Sequence, residues 1–167
     1  VQLLVMDCNE QLQMRGMARS NTVVLPAPVP DLLGAHQGGQ LMLSLDLPTA
    51  RQPYRSYVPL VGDSLGAIFE HYLAQSEQLP SRLFLTAGPQ AAACLFLQKL
   101  PDADRKDPDG WDRITRLAAT LRDEELLGLP ADEILTRLFH QETVRLFDAR
   151  EVSHHWPHDW DKVRNML

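Results

Sequence analysis

The sequence predicts an α+β fold: a mixed, mostly antiparallel sheet packed by a helix, followed by a small helical linker subdomain. Every second residue from 41 to 47 is leucine, and a period of two is typical of a strand with two different faces. A helical stripe at residues 65–73 leads into a strand-like segment at residues 82–86. After Pro101 the apolar residues recur about every 3.6 positions, which is the period of a helix.

Two strands are expected at the start of the chain, at residues 1–7 and 11–19, with a turn between them at residues 8–10. In the second strand, Leu12 and Met14 alternate with polar residues. This alternation predicts one buried face and one solvated face.

The middle of the chain is expected to contain a loop, a turn and a return strand. Residues 23–34 contain three prolines, and proline is excluded from central strands because it donates no backbone hydrogen bond. We therefore expect an extended surface loop there. A turn follows at residues 36–39. The strand that pairs with the leucine-rich strand is expected at residues 55–60, with Tyr57 and Val58 on opposite faces.

The central helix is predicted from its cap, its apolar stripe and its end. Asp63 and Ser64 are residue types that accept hydrogen bonds from the first free N–H groups of a helix. Apolar residues then follow with helical spacing at Leu65, Ile68, Phe69, Tyr72 and Leu73. The pattern stops before Pro80, because the residue before a proline is pushed out of the helical region. The apolar run at residues 91–100 could by itself form a helix or a strand, and its place after a Gly-Pro turn favours a strand.

Short helices are expected in the last third of the chain. Residues 102–110 are charged and rich in helix breakers, and we expect a linker there. Asp107 can cap the helix that follows, whose apolar stripe is Trp111, Ile114, Leu117, Ala118 and Leu121. A second helix is expected at residues 123–129, and Pro130 opens a third. Residues 144–147 are expected to form a short strand or an extended exit.

The composition is that of a soluble globular protein, with 44% hydrophobic residues and a mean hydropathy of -0.23. No apolar run is long enough to cross a bilayer, so no membrane partner is expected. The net charge of -6 and the lack of a Lys/Arg cluster argue against nucleic acid as a partner. The chain begins at Val1 inside an apolar run, without the pattern of a signal peptide. We expect it to be a fragment of a longer protein.

The sequence contains two cysteines, Cys8 and Cys94, which are too far apart for a CxxC site. We expect both to be reduced, partly buried residues. No GxSxG, HExxH, Walker A or GxGxxG motif occurs. The sequence therefore predicts no catalytic residues and a protein that is not an enzyme.

Three longer motifs have sequences similar to those of a known family. They are EHYLAQSEQLPSRLFL at residues 70–85, QLQMRGMAR at residues 11–19 and EELLGLPADEILTRLFHQETVRLFD at residues 124–148. The first closely resembles the heat-shock protein of 33 kDa family, the redox-regulated bacterial holdase chaperones. The second is similar to one of that family's core strands, and the third resembles its linker region.

The resemblance implies a domain organisation and a function. It implies a core chaperone-like α+β domain at residues 1–101, a helical linker subdomain at 102–148 and a remnant of the redox-switch domain at 149–167. It further implies an ATP-independent chaperone of the stress response that binds unfolded or aggregation-prone proteins. The location it implies is the bacterial cytoplasm.

The last segment departs from the family. The resemblance places a Cys-x-Cys pair at positions that are occupied here by Trp156 and His158. The family's zinc site needs cysteine ligands, and its disulfide switch needs thiolates that oxidise in pairs. We therefore expect no cofactor in this chain and no redox switch. A solvated tail is expected, and the alternative is a replacement metal site formed by His154, His155, His158, Asp159 and Asp161.

The predicted client-binding surface is the apolar side of the helices after residue 123. Burial of apolar surface stabilises a complex by about 25 cal/mol per Å². The candidate residues are Leu126, Leu127, Leu129, Ile134, Leu135, Leu138 and Phe139. The same residues are explained equally well as packing between the helices and the sheet. The alternative function is a non-chaperone interaction or homo-oligomerisation module, such as a homodimer, that keeps the family fold.

Overall fold

The computed structural model describes residues 3–20, 27–47, 49 and 51–154. Its contacts divide the chain into two compact units. One unit contains residues 1–25 and 147–167, and the other contains residues 26–146. These boundaries differ from the predicted division after residues 101 and 148.

The strands are β1 (Leu3–Cys8), β2 (Gln13–Arg19), β3 (Gln40–Leu45), β4 (Tyr54–Pro59), β5 (Ser81–Ala87), β6 (Ala92–Gln98) and β7 (Ser153–His154). The helices are α1 (Val29–Leu32), α2 (Leu65–Tyr72), α3 (Ala103–Lys106), α4 (Gly110–Ala118), α5 (Asp123–Gly128) and α6 (Ala131–Leu138). A 3₁₀ turn covers Ala35–Gln37, and a π-helical turn at Leu73–Glu77 extends α2.

The predicted α+β class and the mostly antiparallel pairing are confirmed. The described strands form three separate sheets in the orders β1-β2-β7, β3-β4 and β5-β6. Only the β2–β7 pair among them is parallel. The continuous sheet that we expected is thus divided, within the described residues, into three smaller ones. Within the same residues, no helix is long and apolar enough to cross a membrane.

The first unit is built on the β1–β2 hairpin. The Oδ1 atom of Asn9 accepts hydrogen bonds from the backbone N–H groups of Gln11 at 3.1 Å and Gln13 at 2.9 Å, and these bonds fix the turn. The expected buried face is wrong: all of β1 is exposed, and so is β2 from residue 16 onward. Alternation assigns residues to two faces, but it does not supply a second layer to cover one of them. Among the described residues of this unit there is no helix that would do so.

In the second unit, the β3–β4 hairpin has the predicted two faces. Val58 is buried, whereas Tyr57 on the other face is 57% exposed. The expected extended loop at residues 23–34 is wrong in its second half, where α1 forms. Proline is accepted in the first turn of a helix because its missing N–H would have no partner there, and Pro30 occupies such a position. Residues 23–26 lie outside the described residues.

The α2 helix and β5 form the packed centre of this unit, as predicted. Ser64 is the N-cap, and its hydroxyl accepts a hydrogen bond from the N–H of Ala67 at 3.2 Å. Ile68 is 1% exposed, and it is the largest fully buried side chain in the described residues. Tyr72 is also buried, and its hydroxyl is hydrogen-bonded to that of Ser56 on β4. These contacts join α2 to the β3–β4 hairpin as well as to β5.

The helices after β6 follow the prediction with two corrections. Residues 102–110 are not only a linker, because α3 forms within them. Asp107 does not cap α4, which begins at Gly110; its carboxylate binds Arg113 instead. The α5 and α6 helices begin as expected, α6 directly after Pro130. Residues 144–147 belong to neither a helix nor a strand.

Candidate functional site

The seven predicted client-binding residues are not equally accessible. Ile134 and Phe139 are each only 6% exposed, so their side chains pack inside the helical region. Leu127 is 36% exposed. The half-buried members of the set are Leu126, Leu129, Leu135 and Leu138. In this conformation an incoming polypeptide would meet Leu127 and the half-buried leucines, but not Phe139.

A groove of about 260 Å³ brings some of these residues together. Leu129, Ile134 and Leu138 contribute its apolar walls, and Arg122 and Arg137 lie at its rim. The α5 and α6 helices are short and follow each other closely, with Pro130 between them. Residues of both helices and of their connection line this groove. The sequence predicts the apolar residues of this groove, but its charged rim was not anticipated.

The rim of the groove is organised by Glu125 at the start of α5. Its carboxylate accepts hydrogen bonds from the Arg122 backbone N–H at 3.2 Å, the Arg122 side chain at 3.3 Å and the Arg137 guanidinium at 2.9 Å. The hydrogen bond from the Arg122 side chain is the main cause that lowers the pKa of Glu125. Two guanidinium groups thus share one carboxylate beside the groove, and Arg137 also lies 3.9 Å from the Glu133 carboxylate.

Arg113 joins the start of α4 to the segment after α6. Its Nε atom donates to the Glu142 carboxylate at 2.6 Å, and its Nη2 atom donates to Asp107 at 2.6 Å. These hydrogen bonds lower the pKa of both carboxyl groups. Since Glu142 follows α6 by only a few residues, Arg113 fixes the exit of the chain from the helical region.

The helical region contacts the β5–β6 hairpin through α5. A Cβ atom at Gly88, in the turn of this hairpin, would lie 3.7 Å from the Cδ1 atom of Leu127. Leu127 is therefore partly covered by the hairpin, while the remaining part of its side chain is open to solvent.

A second surface with accessible apolar side chains lies on the β3–β4 hairpin and was not predicted as functional. We call it the outer face, and it consists of Met42 and Ser44 on β3 and Arg55 and Tyr57 on β4, in opposed pairs. Met42 is 48% exposed, and the Tyr57 ring beside it is also open to solvent. The alternating pattern placed Met42 and Ser44 on the face opposite the leucines without saying which face is solvated. A methionine and a tyrosine on an exposed face are the signal that could have been recognised.

The expected state of the cysteines needs correction. Cys8 and Cys94 are free, as expected, but both residues are exposed rather than partly buried. Cys94 is opposite Leu85, on the face of the β5–β6 hairpin that packs against α2 at Gly66. Partial desolvation raises the pKa of the Cys94 thiol.

The positions that correspond to the family's first cysteine pair, Trp156 and His158, lie outside the described residues, as do most members of the alternative metal set. Of that set the structure describes His154, which lies in β7. Within the described part of the chain, no group of three or more His, Cys, Asp or Glu side chains is arranged to hold a metal ion.

The fold and these surfaces define an α+β protein that leaves apolar side chains accessible on a strand face and in a helical groove. The chain belongs to the Hsp33 protein family, whose family model matches residues 1–167. This confirms the resemblance carried by the three motifs.

Similar proteins agree with this assignment. The chain is 40% identical over 168 residues to a 33 kDa chaperonin from Chromobacterium violaceum, and the match covers 100% of this chain and 56% of that protein. It is 38% identical over 173 residues to a 33 kDa chaperonin from Pseudomonas aeruginosa, with 100% and 57% covered. The chain thus spans little more than half the length of these relatives.

The fold is similar to a solved structure. The crystal structure of the 33 kDa chaperonin (heat shock protein 33 homologue) from Thermotoga maritima matches with a TM-score of 0.72 and 23% sequence identity. The match covers 98% of this chain and 58% of the solved chain. At this identity the likeness concerns the fold.

Proposed function

We propose that this chain acts as an ATP-independent holdase chaperone, which binds unfolded or aggregation-prone proteins through accessible apolar surface. The observation that carries the proposal is the exposure of large apolar side chains in a member of the Hsp33 family. A soluble monomer rarely leaves contiguous apolar surface open unless that surface binds something. The relatives named above are bacterial chaperonins, which supports both the chaperone function and the expected bacterial cytoplasm.

The client surface is proposed to have two parts. The first is the accessible portion of the predicted helical set, namely Leu127 and the groove residues Leu129 and Leu138. The second is the outer face of β3–β4, where Met42 and Tyr57 stand side by side. Methionine and tyrosine adapt to varied partners, because methionine is flexible and tyrosine combines apolar area with a polar end. Ile134 and Phe139 are proposed to support this surface by packing beneath it.

The family's zinc and disulfide switch is proposed to be absent from this chain. Trp156 and His158 stand where the resemblance places the Cys-x-Cys pair, and neither side chain can form a disulfide. Cys8 and Cys94 lie far apart in sequence and in different compact units. We therefore expect client binding that does not depend on peroxide and requires no metal.

The experiment is light scattering of a thermally unfolding client enzyme, with this protein added before or after treatment with peroxide. We expect equal suppression of aggregation in both conditions. Suppression only after peroxide would contradict the loss of the switch, and no suppression in either condition would contradict the holdase function.

Two variants with a matched control locate the surface. The double variant Met42→Ser/Tyr57→Ser and the single variant Leu127→Ser are each expected to weaken suppression. Leu100→Ser is the control, because Leu100 is 70% exposed but lies outside both proposed parts of the surface. Equal losses in all three proteins would show that client binding is not confined to these two parts.

A homo-oligomerisation module is the second candidate function. Among the described residues, the β3–β4 and β5–β6 sheets have two strands each, so each of these strands has one edge without a described strand partner. Such edges pair readily with another chain. Light scattering coupled to size exclusion tests this candidate: a mass that rises toward that of a dimer with concentration would favour it, and a constant monomer mass would argue against it.

A further inference from the structure

Four side chains with soft donor atoms share one face of the β1-β2-β7 sheet. Cys8 is directly opposite Met14 in the antiparallel β1–β2 pair, and Met14 is beside His154 in the parallel β2–β7 pair. Met6 precedes Cys8 by two residues on β1. Residues that face each other across strands, and residues two apart along a strand, project to the same side of a sheet. A thiol, two thioethers and an imidazole therefore lie on one surface.

The spacing of this cluster is short enough for a shared ligand. Side chains directly opposite each other have Cβ atoms about 4.5–5.5 Å apart, and diagonal neighbours at about 7–8 Å remain within reach of long side chains. Met14 occupies the centre of the row, with Cys8 on one side and His154 on the other. A flexible thioether at the centre can move toward either neighbour.

Met6 is drawn into the cluster by Gly16. Gly16 is opposite Met6, and a Cβ atom built on it would lie 2.6 Å from the Met6 Sδ atom. The thioether therefore already crosses from β1 onto β2, into space that any other residue would fill. Gly16 lies two residues from Met14 along β2, on the same face of the sheet.

The cluster is accessible from solvent. Met6 is 63% exposed, Cys8 and His154 are exposed, and Met14 is half-buried. The Cys8 thiol is free of any disulfide, and it donates a weak hydrogen bond to the carbonyl oxygen of Asn9 at 3.5 Å. A ligand can therefore approach this face without opening the sheet.

The donor set selects a particular class of metal ion. Thiolate and imidazole ligands suit both copper and zinc, whereas Mg²⁺ and Ca²⁺ prefer oxygen ligands. Zinc in proteins is bound by Cys, His, Asp and Glu, so the two thioethers, which are soft ligands, favour Cu(I). The nearest carboxylate in the paired rows, that of Asp7, projects to the opposite face and is bound to Arg15 at 2.6 Å. The soft face thus presents no competing acidic ligand from its paired rows.

We propose that Met6, Cys8, Met14 and His154 form a binding site for Cu(I). The site differs from the alternative metal set of the tail, because it joins one tail histidine to three residues of the first hairpin. On binding, the Cys8 thiol loses its proton to solvent and a copper–thiolate bond forms, with no change in oxidation state. The site does not depend on the proposed holdase activity.

The test is an anaerobic titration of the purified chain with Cu(I) in competition with the chromogenic chelator bicinchoninate. We expect one Cu(I) per chain. Loss of a supporting residue near a metal already lowers affinity by about 10–100-fold, so Cys8→Ala and Met14→Leu are expected to weaken binding at least tenfold. Circular dichroism of each variant checks that the hairpin is still folded.

Matched controls lie on the same hairpin and on the other cysteine. Met17→Leu removes a thioether from the opposite face of β2, and Cys94→Ala removes the thiol of the second unit. Both are expected to bind Cu(I) as the unaltered chain does. Binding that is lost in Cys94→Ala but kept in Cys8→Ala would overturn the proposal, as would binding that neither Cys8→Ala nor Met14→Leu weakens.

X-ray absorption at the copper edge adds a readout of the ligands themselves. The unaltered chain is expected to show a first shell dominated by sulfur with a nitrogen contribution, and His154→Ala is expected to lose the nitrogen. A shell of nitrogen and oxygen alone would overturn the assignment. Equal competition by Zn²⁺ for the same site would overturn the Cu(I) preference.

Discussion

Replacing Phe139 with alanine tests whether the predicted client-binding helices contain residues that bind clients or residues that hold the fold. Phe139 follows the end of α6 and is only 6% exposed. An aromatic side chain buries about 150–250 Å², which at about 25 cal/mol per Å² amounts to roughly 4–6 kcal/mol. Part of this area is already buried in the unfolded chain, so the value is an upper bound. We expect a loss of about 3–5 kcal/mol, the range found for buried phenylalanines.

Leu127→Ala is the matched comparison within the same predicted set. Leu127 is about one third exposed and contacts the turn of the β5–β6 hairpin, so the alanine variant leaves a smaller, partly solvated gap. We expect it to cost about 1 kcal/mol, which is below the range of about 2–5 kcal/mol for buried leucines and typical of point mutations in general. The expected losses of unfolding free energy therefore differ several-fold between the two variants, although the sequence pattern treats both residues alike.

The assay is urea unfolding followed by far-UV circular dichroism, together with client suppression measured well below each variant's unfolding midpoint. Phe139→Ala should lower the midpoint strongly and, where still folded, suppress client aggregation nearly as well as the unaltered chain. Leu127→Ala should lower the midpoint little and reduce suppression. Equal midpoints for the two variants would refute the packing role of Phe139. If folded Phe139→Ala lost suppression while Leu127→Ala kept it, the proposal that Leu127 binds clients and Phe139 holds the fold would be refuted.

Three further predictions concern the ion pairs, glycines and caps of the second unit. Glu142→Gln removes a charge partner of Arg113. Because the pKa of Glu142 is lowered in the folded chain, the ion pair stabilises the fold at neutral pH, and this stabilisation is lost as the pH falls through the lowered pKa. The difference in Tm between the unaltered chain and the variant should therefore shrink on acidification. Gly66→Ala should destabilise, because its Cβ would lie 2.9 Å from a backbone oxygen of β5, whereas Gly128→Ala meets nothing within 4 Å and should stabilise by about 0.5–1 kcal/mol in urea unfolding. Ser64→Ala should cost about 1 kcal/mol through the lost N-cap bond, and Ser64→Asp should restore most of it.

Much of the fold follows from local signals in the sequence. The α2 helix could be predicted because its cap, its apolar stripe and its terminating proline agree with one another. The β3–β4 hairpin could be predicted because its alternation is regular on both strands. The division into three sheets could not, since strand order depends on contacts between distant residues. The two-residue strand β7 is too short to leave any pattern, and its pairing with β2 depends on a segment about 140 residues away.

The candidate site was predicted in composition more than in geometry. Helical spacing identified the apolar residues of α5 and α6. It does not distinguish Phe139 from Leu127, although Phe139 is buried and Leu127 is exposed. Arg113 and Glu142 are 29 residues apart, and nothing in their local sequence indicates that they meet. The contact between Arg122 and Glu125 at the groove could have been predicted more easily, because the two residues have the spacing of a capping box at the start of a helix.

The two faces of the hairpins explain why apolar surface remains open in this chain. In a sheet covered by a second layer, alternation places large apolar residues on one face and polar residues on the other. The outer face of β3–β4 breaks that rule with Met42 and Tyr57, and β1 breaks it by exposing Leu4 and Val5 on opposite faces. Exposed apolar side chains contribute no burial free energy to the fold. Their occurrence on faces without a covering layer therefore favours contact with another polypeptide. An unfolded client and a second copy of the chain would both meet that requirement, but only client binding predicts that Met42→Ser/Tyr57→Ser weakens suppression while leaving the mass in solution unchanged.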